Sequence, residues 1–304
     1  MPSSGITMSS VYAVYRVLYG EDFIKESIKS LCFNADKIFI CIADRPFGDT
    51  KGVNYKGQWI SWPEKFDNVR EKIKELIDED EGLPNFPQPP KLRLRERIVI
   101  IDDYCASPKN QLTHIVNDLI LPNYPQPDMV IMMEPDHVFS ESGARDALCF
   151  EMDDETPESV RCATLDQIEY WKTPHWRIPN RPNRMGPIIH RLAPGEKLCL
   201  TGFNGAPLKG EVKRLYETVH NMGFCASPEV MYWKHLTALA FSKVIGDSVP
   251  NESWYEEKWL KWNPLLNNKN LEISLGYEWA IPYAYEHDTS DVPALIREKY
   301  GIQQ

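Results

Sequence analysis

Four short apolar runs in the first half of the chain constrain its fold more than any other feature. They cover residues 11–19, 37–44, 97–104 and 128–136, and they alternate with segments whose apolar residues recur at helical spacing. A continuous apolar run of this length is typical of a strand buried on both faces of a sheet. Strands that alternate with helices predict an α/β fold, with a mostly parallel sheet flanked by helices.

Other segments complete this outline. Residues 66–82 predict an amphipathic helix that ends at Gly82, and the proline-rich residues 83–91 predict a surface loop. Residues 210–224 and 228–246 are also predicted as helices. The pattern of residue types changes near Ser159. The sequence has neither an internal repeat nor a flexible linker. We therefore expect one domain in two halves, residues 1–158 and residues 159–304 with a C-terminal elaboration.

Composition excludes several classes of protein. The net charge is −10, whereas proteins that bind duplex nucleic acid normally carry a basic face, so we expect no nucleic-acid partner. The seven cysteines show no zinc-site spacing and are interpreted as reduced core thiols. No window has the roughly 18 apolar residues of a membrane span, and the N-terminus has no signal-peptide pattern. These features predict a cytoplasmic protein without a transmembrane segment.

Polar side chains follow the apolar part of every predicted strand. The four strands supply Tyr15 with Arg16, then Asp44, then Asp102 with Asp103, and finally Glu134, Asp136 and His137. Ligands of such sheets bind beyond the carboxyl ends of the strands. One acidic residue after a strand is usually a turn residue or a helix cap. Four polar strand ends in a single sheet favour a functional site.

The fourth strand end has the strongest chemical signal. Glu134 and Asp136 lie two residues apart, so an extended backbone places both carboxylates on one side. Mg²⁺ and Mn²⁺ prefer such oxygen ligands, and a bound cation would neutralise a diphosphate leaving group. Alternatively, the carboxylates cap a helix over residues 140–148. His137 is a metal ligand, a partner of a ligand or a surface residue.

The order of these elements resembles the GT-A fold glycosyltransferases, most closely the family 2-like group. The resemblance covers residues 11–150. It rests on four features: EDFIKESIKSL after the first strand, Asp44 at the end of FICIAD, Lys109-Asn110-Gln111 at a helix start, and EPD after the fourth strand. Two departures stand out, since Glu134 replaces the first Asp of the usual Asp-x-Asp motif and no Glu-Asp-x-x-x-x-x-Arg motif is present.

The resemblance implies a donor, an acceptor and a divalent metal, Mn²⁺ or Mg²⁺. Asp136 would be the direct metal ligand, with His137 beside it. The donor would be a nucleoside diphosphate sugar bound by the half 1–158, and the acceptor a carbohydrate or glycoconjugate bound by the half 159–304. The donor-binding residues that the resemblance implies are Tyr15, Arg16, Asp44, Asp103, Asn110 and Glu134.

Candidates for the catalytic base and the acceptor site lie in the second half. An inverting enzyme needs a carboxylate near the acceptor hydroxyl. Glu229 is the first candidate and Asp247 the second, although Glu229 also suits the first turn of a helix and Asp247 a turn. His235 and His287 either complete a metal shell or are structural. The candidates for binding the acceptor are Trp171, His175, Trp176 and Arg177. Their segment is equally well interpreted as a packed loop with solvated arginines.

The prediction is therefore a metal-dependent glycosyltransferase, with inversion as the favoured outcome. The sequence lacks a P-loop, a Gly-x-Ser-x-Gly hydrolase elbow and a Gly-x-Gly-x-x-Gly turn after the first strand. Two alternatives stay open. One is a nucleotidyltransferase, which has a similar sheet but normally a glycine-rich basic loop after the first strand. The other is a non-catalytic carbohydrate-binding relative.

Overall fold

A computed structural model describes most of the chain. The described residues are 10–31, 35–46, 48, 50–82, 93–102, 108–140, 160–179, 188–201, 206–207, 211–245, 251–266, 271 and 283–303. Within these ranges, no helix has both the length and the apolar character needed to cross a membrane.

Strands and helices alternate in the first half, and long strands dominate the second. The strands are β1 Val11–Val17, β2 Lys37–Ile42, β3 Gly52–Tyr55, β4 Gln58–Ser61, β5 Ile98–Asp102, β6 Met129–Met133, β7 His137–Phe139, β8 Val160–Trp171, β9 Thr173–Ile178, β10 Ile188–Arg191, β11 Leu200–Thr201, β12 Ala206–Pro207, β13 Glu211–Phe224 and β14 Tyr285–Glu286. The α-helices are α1 Ile24–Leu31, α2 Val69–Gly82, α3 Leu94–Arg97, α4 Pro108–His114, α5 Pro228–Ile245 and α6 Ala294–Tyr300. π-helical turns span Ile115–Ile120 and Tyr255–Leu260, and a 3₁₀ turn spans Thr289–Asp291.

Ten strands form one mixed sheet in the order β14-β9-β8-β10-β6-β1-β2-β5, with β13 paired to β8 and β7 off this path. The four strands predicted from the sequence, β5, β2, β1 and β6, are neighbours and run parallel. Strand β10 joins β6 to β8 in antiparallel pairing. The predicted α/β class, with a sheet flanked by helices, is confirmed.

The central strand β1 is buried on both faces, as its unbroken apolar sequence predicts. Ala13 and Tyr15 belong to a core that includes Ile24 and Ile28 of α1. The alternate residues of β1 belong to a second core, with side chains of α4 and of the π turn after it. Because side chains alternate along a strand, the two layers of helices hold the sheet from both sides.

A third core gathers aromatic residues of the second half. Trp171 at the end of β8 is fully buried, 6.0 Å from the ring of Trp254 and 5.4 Å from that of Phe224. Side chains of α5 and α6 join the same cluster. Many of the aromatic residues therefore pack against one another rather than line a surface.

The prediction of a helix over residues 210–224 is wrong. This segment forms the strand β13, parallel to β8 and antiparallel to β7, with register shifts along β8. Its apolar positions, Val212, Leu215, Val219 and Met222, happen to be spaced like those of a helix. Pairing with two strands distant in sequence overrides that local pattern.

Candidate functional site

The parallel register brings the four predicted strand ends to one edge of the sheet. Arg16 is level with Cys41, and Tyr15 is level with Met133, so β1, β2 and β6 end together. Strand β5 continues the edge, since Ile42 is level with Asp102. The carboxyl ends of parallel strands are where such sheets bind ligands.

An ion pair links the ends of β1 and β6. Arg16 donates from Nη2 to Oε1 of Glu134 at 2.5 Å, and these two side chains are 16% and 35% exposed. The pair spans 118 residues of sequence and ties the two central strands together at the edge. Because both side chains reach solvent, they are placed to meet a bound ligand.

Two acidic residues at the carboxyl ends of β2 and β5 are open to solvent. The side chain of Asp44 after β2 is 77% exposed, with Nε of Arg45 3.8 Å from its Oδ1. Asp102 at the end of β5 accepts a hydrogen bond from Arg70 of α2. Asp44 is therefore accessible to a ligand that lies across the ends of β1 and β2.

Beside Glu134, the chain forms a small pocket around Asp136. Its volume of about 10 Å³ is that of about one water molecule, so a larger ligand would lie against it rather than inside it. The ends of β1 and β6 and the helix α5 supply its lining, which is Tyr19, Gly20, Asp22, Phe23, Pro135, Asp136, Ala226, Val230 and Lys234.

Asp136 and Lys234 form an ion pair in this pocket. Nζ of Lys234 donates to Oδ2 of Asp136 at 2.8 Å and to the carbonyl oxygen of Gly223 at 3.0 Å. The two side chains are only 18% and 21% exposed. Nζ also lies 5.5 Å from the ring centre of Tyr19, a distance suited to a cation–π contact.

Electrostatics keeps both members of the pair charged. Burial opposes ionisation of Asp136, but the charges of Lys234 and His137 outweigh it and hold the pKa of the carboxyl below its usual range. Burial likewise opposes the charge on Lys234, but the carboxylate of Asp136 raises the pKa of the ammonium. The pocket therefore holds a carboxylate and an ammonium at neutral pH.

Two glycines allow the strand ends to approach this closely. A Cβ on Gly20 would lie 2.7 Å from Cβ of Pro135, and a Cβ on Gly223 would lie 3.0 Å from Oδ2 of Asp136. Both distances are shorter than ordinary van der Waals contact. The backbone of β13 also holds Asp136, since Met222 N donates to its carbonyl oxygen at 2.9 Å.

The expected metal ligands do not form a cation site here. Asp136 is paired with Lys234, and the buried ring of His137 has Nε2 3.4 Å from Nδ2 of Asn221. Across the part of the chain that the structure describes, no three His, Cys, Asp or Glu side chains are grouped to hold a metal ion. The residues around Asp136 fit an ammonium rather than a divalent cation.

Two predicted ligand-binding aromatics lie in the core, which corrects their assignment. Tyr15 is 0% exposed and its hydroxyl lies 3.0 Å from Oγ of Ser27. Trp171 is also 0% exposed. Neither ring is available to stack on a base or a sugar.

The other acceptor-side candidates lie on β9, which β8 and β10 separate from β6 in the sheet. His175 is exposed. The ring of Trp176 meets Trp262 at 5.2 Å, and Arg177 donates to Asp291 at 3.3 Å. The structure thus does not bring these residues to the edge that carries Glu134 and Asp136.

The two histidines considered as metal ligands form hydrogen bonds with backbone carbonyl oxygens instead. Nε2 of His235 lies 3.2 Å from the carbonyl oxygen of Glu252, and Nε2 of His287 lies 2.7 Å from that of Pro174. Their structural interpretation, left open by the sequence, is the one that the geometry supports.

Glu229 is exposed in the first turn of α5, directly before Val230 of the pocket lining. Its role as the catalytic base stays a prediction. Asp103 and Asp247 lie outside the described residues, as do residues 141–148 of the proposed helix over 140–148. Asn110 lies in α4, where its side chain is not described.

Sequence reasoning missed Lys234, which lies 98 residues after Asp136. No local motif connects the two. One signal was nevertheless present, because α5 is apolar on nearly all sides and carries a lysine near its middle. A charge on a buried helix needs a partner, and the acidic strand end provides one.

Comparisons with known proteins give distant structural likenesses. No family model and no curated protein matches the chain. The inositol-1-phosphate CTP transferase from T. maritima has a TM-score of 0.35 and 8% identity, over 70% of this chain and 89% of its own. S. aureus TarS has a TM-score of 0.36 and 9% identity, over 81% of this chain and 68% of its own.

A third solved structure is glucosyl-3-phosphoglycerate synthase from Mycobacterium tuberculosis, crystallised with Mn²⁺, UDP and phosphoglyceric acid. It has a TM-score of 0.33 and 9% identity, and the match covers 80% of each chain. At these scores the likenesses carry no assignment of activity.

Proposed function

We propose that this chain is a nucleotide-sugar glycosyltransferase that moves a sugar from a nucleoside diphosphate donor to an acceptor hydroxyl. The observation that carries the proposal is the convergence of Arg16, Asp44, Glu134 and Asp136 at the carboxyl ends of adjacent parallel strands. This is the edge at which sheets of this kind bind nucleotides. The half 1–158 would hold the donor and the half 159–304 the acceptor.

The exposed charges suit a nucleoside diphosphate. The carboxylate of Asp44 is free of burial and accepts hydrogen bonds, as the hydroxyl groups of a ribose require. Arg16 lies on the neighbouring strand β1, level with Cys41 of β2, and offers a planar guanidinium, which suits phosphate oxygens. Glu134 orients that guanidinium through their ion pair.

On the acceptor side we propose Glu229 as the base. Glu229 is exposed and directly precedes the lining residue Val230, and its carboxylate would take the proton from the acceptor hydroxyl as that oxygen attacks the sugar. Attack from the face opposite the leaving diphosphate would invert the anomeric centre. Glu229→Gln would then lose about 10²-fold or more in kcat, with donor binding retained.

The test is donor turnover across a panel of UDP-, GDP-, CDP- and dTDP-sugars, with the released nucleotide identified by chromatography. We expect one donor to release a nucleoside diphosphate, and Asp44→Asn to weaken binding of that donor by about tenfold. Asp78→Asn on the exposed side of α2 is the matched control. A parallel panel pairs UTP, GTP, CTP and dTTP with a sugar 1-phosphate. Release of pyrophosphate there, with no turnover of any nucleoside diphosphate sugar, would instead show a nucleotidyltransferase.

Absence of turnover together with absence of any nucleotide-dependent rise in melting temperature would contradict the proposal. A ligand that binds the folded state must raise that temperature at concentrations well above its Kd. Such a result would leave the non-catalytic carbohydrate-binding alternative.

A further inference from the structure

Lys234 occupies the place where the sequence pattern predicts a metal ion. Its ammonium lies 2.8 Å from the carboxylate of Asp136, the residue expected to bind the cation. It is fixed a second time by the carbonyl oxygen of Gly223, at 3.0 Å. The lysine is therefore part of the pocket wall.

A divalent cation would have to displace this ammonium to reach Asp136. Both partners are about four-fifths buried, so breaking the pair would strand a charge away from water. His137 cannot compensate, because its ring is only 6% exposed and faces Asn221. The described part of the chain offers no other cluster of acidic, histidine or cysteine side chains for the ion.

The lysine also has capacity to act on a ligand. An ammonium has three N–H groups, and the described hydrogen bonds use two of them, to Asp136 and to Gly223. About a fifth of the side chain is exposed, and the residue lines the pocket beside the strand end that carries Glu134. The third N–H group can meet an anionic oxygen that lies against the mouth of the pocket.

We infer that Lys234, rather than a bound divalent cation, supplies the positive charge that meets the diphosphate of the donor. This inference rests on the proposed function and names the group that serves its leaving diphosphate. In the transfer, the bond from the sugar C1 to the diphosphate oxygen breaks, and its electron pair leaves with the nucleoside diphosphate. C1 bonds to the acceptor oxygen, whose proton goes to the base.

Charge develops on the departing diphosphate oxygen during this step. A fixed ammonium in a partly buried site stabilises that charge without reorganisation, which is the contribution otherwise made by a metal ion. Asp136 would then be a positioning residue, because it holds the ammonium in place and keeps it protonated, and does not itself touch the donor.

The experiment measures binding of UDP, GDP, CDP and dTDP to the full chain by calorimetry, in EDTA and then in Mn²⁺. We expect one nucleotide to bind in EDTA, with a Kd that Mn²⁺ changes by less than about threefold. Lys234→Met should weaken this binding by about tenfold or more, as expected for loss of a charge-assisted hydrogen bond. Lys74→Met, at an exposed lysine of α2, should leave the Kd unchanged.

Loss of Lys234 alone could unfold the protein, since it leaves Asp136 unpaired. The double variant Asp136→Asn/Lys234→Met removes both charges together. We expect it to recover the melting temperature that Lys234→Met loses, and not to recover nucleotide binding. Recovery of binding in the double variant would show that the lysine only neutralises Asp136, and would overturn the inference.

Two further outcomes separate the inference from the proposed function. Nucleotide binding that appears only with Mn²⁺, together with stoichiometric Mn²⁺ binding seen by electron paramagnetic resonance, would overturn the role of Lys234 and leave the transferase intact. Binding of no nucleotide in either condition would overturn the proposed function itself, and the inference with it.

Discussion

At the scale of single residues, Gly20 allows the segment after β1 to approach the segment after β6 closely at the site. A Cβ at this position would lie 2.7 Å from Cβ of Pro135. We expect Gly20→Ala to lower the free energy of unfolding by about 1–3 kcal/mol, the usual cost of forcing an extra methyl into a packed site. Urea unfolding followed by fluorescence measures the change.

Gly195 provides the comparison for this variant. It has open space around it but a φ of +76°, so Gly195→Ala tests backbone strain without a clash. We expect it to cost about 1 kcal/mol and to leave nucleotide binding unchanged. Gly20→Ala should also weaken nucleotide binding, because Pro135 carries Asp136 with it. Unchanged binding in Gly20→Ala would contradict the importance of this close approach.

Tyr15 is the residue whose interpretation changes most. Its hydroxyl meets Oγ of Ser27, which in turn donates to the carbonyl oxygen of His137 at 2.5 Å. Tyr15→Phe removes one buried hydrogen bond, so we expect a loss of about 1 kcal/mol in the free energy of unfolding. The Kd for nucleotide should not change. A weaker Kd at unchanged stability would return Tyr15 to the binding site.

At the scale of elements, β10 carries a buried histidine that makes stability depend on pH. Burial lowers the pKa of His190 to about 4. An unfolded histidine has a pKa of about 6.5, so between these values the unfolded state binds a proton that the folded state does not. The free energy of unfolding therefore falls as the pH drops from about 6.5 to 4, by up to about 1.4 kcal/mol per unit.

His190→Gln should reduce this slope, whatever its effect on stability at pH 7.5. Urea unfolding at pH 7.5, 6.5, 5.5 and 5.0 measures it. The control is His175→Gln at an exposed position of β9, which should keep the slope of the parent protein. Equal slopes in His190→Gln and the parent would mean that His190 is protonated in the folded state.

The elements differ in how far the sequence predicts them. The strands β1, β2, β5 and β6 follow from apolar runs, because burial on both faces leaves a continuous signal. Strand β13 was missed because its partners β7 and β8 are remote, and its own spacing resembles that of a helix. The hairpin of β3 and β4 has a weak signal, a Lys56-Gly57 turn with both φ angles positive.

At the scale of the whole molecule, this hairpin connects the N-terminal half to the C-terminal part of the chain. The hydroxyl of Tyr55 donates to Oε1 of Glu256 at 2.5 Å, and Nζ of Lys56 lies 2.9 Å from the same oxygen. We expect Glu256→Gln to lower the free energy of unfolding by about 1 kcal/mol and to speed amide exchange in β3. Exchange measured by mass spectrometry tests this.

Glu257→Gln, one residue further along the same π turn and exposed, is the matched control. It should change neither quantity. If both variants speed exchange in β3 equally, the effect comes from the net charge of the turn and not from the contact with Tyr55.

Part of the site could be predicted from the sequence. The acidic and basic strand ends follow from the pattern, since parallel strands must end at one edge. The partner of Asp136 does not, because α5 reaches the pocket only through the packing of the second half. Two charged residues that are distant in sequence form no motif with a recognisable spacing. The identity of the partner nevertheless decides whether a carboxylate binds a metal ion or pairs with a lysine.

The distance along the chain between Asp136 and Lys234 also bears on the order of folding. During synthesis the strands β1, β2, β5 and β6 are complete about a hundred residues before α5 emerges. Contacts between such remote segments form late, because closing a long loop costs entropy. Until α5 docks, the carboxylate of Asp136 at the edge of the nascent sheet lacks its ion pair with Lys234, so a helix made about a hundred residues after β6 completes the site.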